Sequence, residues 1–450
     1  MEKEDFGHAH IWRVAYPLVL GGVAQVVING TDTAFLGRIG EIAMGAAAIA
    51  GLYYVTFFML GLGFGIGTQI LVARHEGENN PTEVRNTMQQ SLFFLGVLAV
   101  LLFVLMHVFS PWLLHFFVES DAIRDSCISF ITYRSWGIFP GFAILWVRSF
   151  YAGTANTRII SVTTLLTALL NMLFNYLLVF GKGGFPAMGI SGSGLASTLA
   201  ETFTACFALL WLASDKKSAK YKLLKKMRFD AGAFRKLIEL SSPLMLQIFI
   251  SLCSWFAFFL IIEKTGAHNL AISNLVRNVY MILMIPLLGF SNATNTLVSN
   301  LIGRKETERV FELLKRICLQ SSLCTLVIVL FTLALPRLVM SVFTNDEILI
   351  SHTLSSLQVI SGSCLLFSVV NILLSAISGA GFTIASLIIE TLTLIIYLLY
   401  VYWLSVRLHL RIEWIWSSEY VYFFMLGCCS IWFLKLRLQN KLALSDERNH

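Results

Sequence analysis

One carboxylate in the first span of the chain is conspicuous for its setting. Asp32 lies in Gln25-Val-Val-Ile-Asn29-Gly-Thr31-Asp32-Thr33, at the close of an apolar segment that begins near Trp12. A charge at membrane depth is costly, so an acid inside an apolar segment is a candidate functional group. An acid at the segment's end would instead lie in interfacial water. Three other polar groups have the helical spacing to join it. Asn171 and Asn175 are four apart and share one face of a helix. Ser197 ends the run Gly192-Ser-Gly194-Leu-Ala-Ser197, whose small residues allow close helix approach. A carboxylate, two amides and a hydroxyl are hard oxygen ligands, suited to a proton or an alkali cation such as sodium and not to a soft metal. Asn and Ser also glue helices together by hydrogen bonding, but that reading leaves Asp32 without a role. Glu201, one turn past Ser197, either joins this layer or faces a substrate cavity. Glu390 is either a second proton site or the partner of a basic residue such as Arg148. The eight cysteines and nine histidines show no Cys-x-x-Cys or His-x-x-x-His spacing, so neither a metal centre nor a cofactor is expected.

The elements that must hold these groups are membrane spans. The chain is 57% hydrophobic and 13% charged, against about 25% charged for a soluble domain. A span needs about 20 mostly apolar residues. Twelve such stretches are expected: 12–36, 45–73, 88–115, 126–152, 159–180, 189–213, 240–262, 270–300, 316–342, 353–378, 384–406 and 417–436. These runs are too long, and not alternating enough, for a β-barrel. The fold class is therefore an all-α polytopic membrane protein. At about 1.5 Å per residue, Asn175 lies about 24 Å up the fifth span and Ser197 about 12 Å down the sixth, in the outer layer that also holds Asp32.

Basic residues set the orientation. Nine Lys or Arg residues, Lys226 among them, crowd 214–239, which places that linker in the cytoplasm together with both termini and the tail 437–450. Arg407 and Arg411 fall outside, against the trend. Residues 1–10 show no signal-peptide pattern, so no cleaved leader is expected. The net charge of +7 marks topology in short loops, not a nucleic-acid surface.

The linker is also the midpoint of a repeat. At a displacement of 226 residues Pro17 meets Pro243, Gly40 meets Gly266, Gly63-Phe64 meets Gly289-Phe290, and Thr68 meets Thr294. Ser149, Gly153 and Thr157 likewise meet Ser375, Gly379 and Thr383. Two six-span halves, 1–213 and 240–436, are thus expected to share one topology about a pseudo-two-fold axis along the membrane normal, an arrangement found in transporters. Pro17 and Pro243 lie inside the first span of each half, as static kinks or as hinges. The Asp32 set is not repeated, since Asp32, Asn171 and Asn175 meet Phe258, Tyr397 and Val401.

Taken together, the Asp32-x-x-Phe-x-Gly37-Arg38-x-Gly40 stretch, Asn171-x-x-x-Asn175, the Gly-x-Gly-x-Ala-Ser run and the paired stretches 149–157 and 378–383 resemble the MATE family, the multidrug and toxic compound extrusion transporters, nearest to its bacterial NorM and DinF-like branches. The resemblance implies antiport without a cofactor: organic, often cationic, compounds leave as sodium ions or protons enter. It also implies a cation site at Asp32, Asn171, Asn175 and Ser197. NorM-like members use further acids in spans seven and ten, where this chain has Ser251 and, near Asn371, Phe367 and Ser368. Glu201, Glu390 and Asn371 remain additional polar or cavity candidates, and Pro17 the hinge. The expected setting is the cell inner membrane, and the expected state a monomer. A flippase for lipid-linked sugars is the rival reading, but such a cavity would hold several basic residues for an anionic head group, and mid-span cations are few here.

Overall fold

The computed structural model describes residues 6–225, 227–344 and 346–446, with side chains up to residue 437. The first five residues, Lys226 of the basic linker and the last four residues of the expected tail lie outside the described residues. Among the described residues there is helix and no strand.

Eleven helices are long and apolar enough to cross a membrane. They are α1 (His8–Gly37), α2 (Glu41–Gly77), α3 (Pro81–Phe117), α5 (Arg158–Phe180), α6 (Gly189–Ser214), α7 (Ala231–Glu263), α8 (Ala267–Gly303), α9 (Thr307–Ala334), α10 (Glu347–Gly379), α11 (Thr383–Arg407) and α12 (Ile412–Arg437). The twelfth expected span, α4, is not one helix. It runs as Asp121–Arg134 and Ile138–Gly153, joined by a 3-10 turn over Ser135–Gly137. The expected span over 316–342 also differs: α9 ends at Ala334, and Pro336 opens a separate short helix, Pro336–Ser341. The residue before a proline is pushed out of the helical region, and Leu335 takes an extended-side ψ of 51°.

Helix ends follow local chemistry. The Asn80 side chain accepts from the Glu83 amide at 3.2 Å, with Pro81 in the first turn of α3. Asp346 caps α10 by accepting from the amides of Ile348 and Leu349. Both are N-caps that satisfy amides lacking a helical partner. α5 stops at Gly181, whose φ of 67° is left-handed, the usual helix-ending conformation for glycine.

The chain divides into two compact units. One is 20–245; the other is 1–19 with 246–450. α1 and α7 each pass from one unit to the other, in each case two residues after the proline of the repeat, Pro17 or Pro243. Matched glycines mark these places. A Cβ at Gly63 would stand 2.6 Å from Met245 Cα, and one at Gly289 would stand 2.4 Å from Val19 Cγ2 and 2.9 Å from its amide nitrogen. α2 therefore touches the start of α7 in one unit as α8 touches the start of α1 in the other. Val19 and Met245 are themselves related by the 226-residue displacement, so the repeat found in sequence is also a repeat of helix contacts.

The unit containing 246–450 has a large aromatic core. Phe258, Tyr280, Tyr397 and Trp416 are buried together, with Trp416 donating to Ser273 Oγ at 3.2 Å. Positions 258 and 397 are those where the first half has Asp32 and Asn171.

Candidate cation site

Within the unit 20–245, four helices carry two hydrogen-bonded polar groups. α1 supplies Asp32, α5 Asn171 and Asn175, α6 Ser197 and Glu201, and α4 Arg134. Asn175 Nδ2 donates to Asp32 Oδ1 at 2.7 Å and to Asn171 Oδ1 at 3.1 Å. Asn171 Nδ2 in turn donates to Ser197 Oγ at 3.0 Å. The helical spacing of the two asparagines makes this possible, since each reaches the other one turn away and a different helix beyond it. Asn171 and Asn175 are 2% and 0% exposed, while Asp32 is half-buried. The structure thus brings together the four residues whose types suggested a cation site.

One atom in the network is left over. Asn175 Oδ1 is buried and has no hydrogen-bond donor. A buried amide oxygen without a partner is costly, and this one belongs to the side chain that holds the Asp32 carboxylate. The donor set, a carboxylate with amide and hydroxyl oxygens, fits a hard monovalent cation or a proton.

Glu201 lies one turn beyond Ser197 but faces a different partner. Arg134 Nη1 and Nη2 donate to its two oxygens at 2.8 and 2.6 Å, a bidentate pair of the strong kind. The pair is 11% and 17% exposed. Arg134 also stacks on Tyr54 of α2, its Cζ 3.7 Å from the ring centre, a favourable cation–π contact. The Tyr54 hydroxyl is buried without a hydrogen-bond partner. Arg134 was not among the residues singled out in the sequence. Its signal was available: a cation inside the stretch 126–152 is as costly as Asp32, and it is the last residue before the break in α4.

The other candidates lie in the second unit. Pro17 is buried inside α1. The amide nitrogen of Asn371, on α10, is buried without a partner. Glu390, on α11, is buried, and its oxygens are held by neutral donors of α7, Ser251 Oγ and Gln247 Nε2. Ser251, which stands where NorM-like members are expected to have an acid, is thus the partner of an acid on another helix. A further buried carboxylate, Glu419 on α12, accepts from the Tyr397 hydroxyl at 2.8 Å. Gln247 escaped notice in the sequence because it is uncharged, and Glu419 because it lies at the edge of a span.

Comparison with known proteins agrees with this architecture. The MatE family model matches residues 17–177 and again residues 243–403, so its second copy is displaced by the same 226 residues as the repeat. A probable multidrug resistance protein NorM of Idiomarina loihiensis is 27% identical over 273 residues, covering 59% of this chain and 58% of that protein. The corresponding protein of Geobacillus kaustophilus is 26% identical over 338 residues, 73% of each chain. The chain therefore spans a little under three-fifths of the first relative's length and nearly three-quarters of the second's. The fold matches a crystal structure of a MATE protein in complex with MaL6, with a TM-score of 0.90 over 96% of each chain at 17% identity. Matched in both halves by the family model, the chain belongs to the MATE family of membrane transporters.

Proposed function

We propose that this chain exports organic, often cationic, compounds across the cell inner membrane by alternating access, driven by sodium ions or protons that bind at Asp32. The supporting observation is the Asn175 side chain, which holds the Asp32 carboxylate with its nitrogen while its buried oxygen has no donor. An inward-moving cation would find a carboxylate and an amide oxygen side by side, with Asn171 and Ser197 fixing the geometry behind them. A ligand shifts a two-state equilibrium only by its differential affinity for the two states. Coupling therefore requires the Asp32 environment to change. α1 carries both Asp32 and Pro17, and a proline weakens the helix by removing a backbone hydrogen bond, so a bend there would move Asp32 relative to α5. In this reading both termini and the 214–239 linker are cytoplasmic, and the transporter acts as a monomer in the bilayer.

The test is efflux of a fluorescent organic cation from cells making wild type or Asp32→Asn at matched expression, with sodium and proton gradients imposed separately. Export by wild type under one gradient, abolished in Asp32→Asn, supports the assignment and names the ion. Equal export by the two proteins would remove Asp32 from the mechanism. No export by wild type under either gradient would overturn the drug-export reading.

A further inference from the structure

In the Glu390 network two acceptors compete for the Ser251 hydroxyl if Glu390 is a carboxylate. Ser251 Oγ lies within hydrogen-bonding distance of two acceptors, the Gln247 carbonyl at 2.9 Å and Glu390 Oε1. A hydroxyl has a single proton to give. Gln247 Nε2 donates to Glu390 Oε2, and Gln247 Oε1 accepts from Ser386 Oγ at 3.0 Å, the Ser386 hydroxyl also lying 2.9 Å from the Thr383 carbonyl. Ser378 Oγ donates to Ser386 Oγ at 2.9 Å. The competition at Ser251 is relieved if Glu390 bears a proton. Its hydroxyl then donates to Ser251 Oγ, and Ser251 donates to the Gln247 carbonyl.

Charge leads to the same state. Glu390 is 9% exposed, and among the described residues its polar contacts are to the neutral side chains of Ser251 and Gln247. An ionised carboxylate taken out of water without a counter-charge is strongly disfavoured. The groups facing it can be enumerated by element. From α7 come Gln247 and Ser251, and from α10 Ser378 through Ser386. From α12 comes the neutral Tyr422. Farther along α11, Tyr397 is already engaged with Glu419. None of these supplies a positive charge.

We propose that Glu390 is a second proton-binding site, loaded in the conformation seen here and distinct from the Asp32 cluster. Gln247 and Ser251 lie one and two turns beyond Pro243 on one face of α7. When Glu390 gives up its proton, the Ser251 hydroxyl swings from the Gln247 carbonyl to the carboxylate, and α7 just past its proline becomes tied to α11 by two charge-assisted hydrogen bonds in place of neutral ones. Loading Glu390 thus loosens this tie, and unloading it tightens it. The proton's role in transport rests on the antiport reading above, whereas its presence on Glu390 does not.

Infrared difference spectroscopy of the purified protein in lipid nanodiscs separates the two questions. Wild type should show a protonated-carboxyl C=O band at neutral pH that disappears in Glu390→Gln and bleaches in wild type as the pH is raised. Ser251→Ala, which keeps the acid and removes its acceptor, should shift that band, and this variant decides the matter if Glu390→Gln does not fold. In proteoliposomes, wild type should move one proton more per substrate molecule than Glu390→Gln. A spectrum unchanged by either substitution, or a band that never titrates, overturns the proposal even if Asp32-dependent export is intact. If no export is detected under any gradient, the infrared result still decides whether Glu390 carries the proton.

Discussion

Asn175 occupies the centre of the N-terminal network because it is the residue through which Asp32 is tied to α5. Its 2.7 Å bond to Asp32 is of the charge-assisted type when the acid is ionised, worth about 1.5–3 kcal/mol. Asn175→Leu removes both that donor and the unpartnered oxygen. If sodium is the coupling ion, losing the amide oxygen should raise the sodium concentration giving half-maximal efflux by about ten- to a hundredfold; if the proton is, losing a donor that favours the carboxylate should instead lower the proton concentration required, with protein level unchanged in both cases. An unaltered half-maximal concentration would mean that Asn175 only packs. The Arg134–Glu201 pair makes a different prediction, about stability. Removing one member of a buried pair strands a charge and costs about 3–5 kcal/mol, whereas replacing both with apolar residues of similar volume is often close to neutral. Arg134→Met and Glu201→Leu should therefore each lower the thermal unfolding temperature markedly, and the double variant should recover most of the loss. Equal additive losses would show that the two groups are not coupled. At this scale the sequence was legible where charge or i, i+4 spacing singled a residue out, as with Asp32, Asn171 and Asn175. It was silent on pairing, because Glu201 and Arg134 are separated by 67 positions and nothing local links them.

Helices were the most legible level, since apolar length alone marks a span, yet the two departures have local causes. The segment expected over 126–152 carries Arg134 and breaks immediately after it, and the one expected over 316–342 is cut by Pro336. Both are interruptions that a count of apolar residues passes over. The matched glycines were visible as residues, but their purpose was not. Gly63 and Gly289 are places where another helix's backbone comes within reach of a Cβ. Gly63→Val puts its Cβ 2.6 Å from Met245 Cα, and Gly289→Val meets the Val19 amide at 2.9 Å. Backbone cannot give way as a side-chain tip can, so each substitution should destabilise by about 1–3 kcal/mol or more. Melting of the purified variants checks this. By contrast Gly45, whose Cβ would meet nothing within 4 Å, should tolerate valine. If Gly45→Val and Gly63→Val melt alike, the close approach is not what requires glycine.

Across the whole molecule, the 226-residue repeat gives one topology to two halves that have since diverged in chemistry: a carboxylate and asparagines in the first are Phe258, Tyr397 and Val401 in the second. The basic linker joins the two halves, and its structure bears on orientation. The linker is strapped to the ends of neighbouring helices in the unit 20–245. Gln89 donates to the carbonyls of Leu223 and Lys225 at 2.9 and 3.1 Å, and Gln90 to that of Arg228 at 2.9 Å. Tyr221 donates to Glu76 at 2.6 Å, and burial, followed by the neighbouring Glu76 carboxylate, pushes its phenol above the ordinary value, so it stays a donor at any physiological pH. A cytoplasmic linker should be cut by trypsin in inside-out membrane vesicles and spared in intact spheroplasts. Because segments held by few bonds open locally, the strapping predicts the rate as well as the side. Gln89→Ala with Gln90→Ala removes three hydrogen bonds worth about 1 kcal/mol each, and cleavage within 216–228 should accelerate by at least about tenfold in inside-out vesicles only. Acceleration in spheroplasts would reverse the assigned topology. An unchanged rate on the cytoplasmic side would mean that the linker's lysines are cleaved without its detaching from α3, and that these glutamine contacts do not hold it.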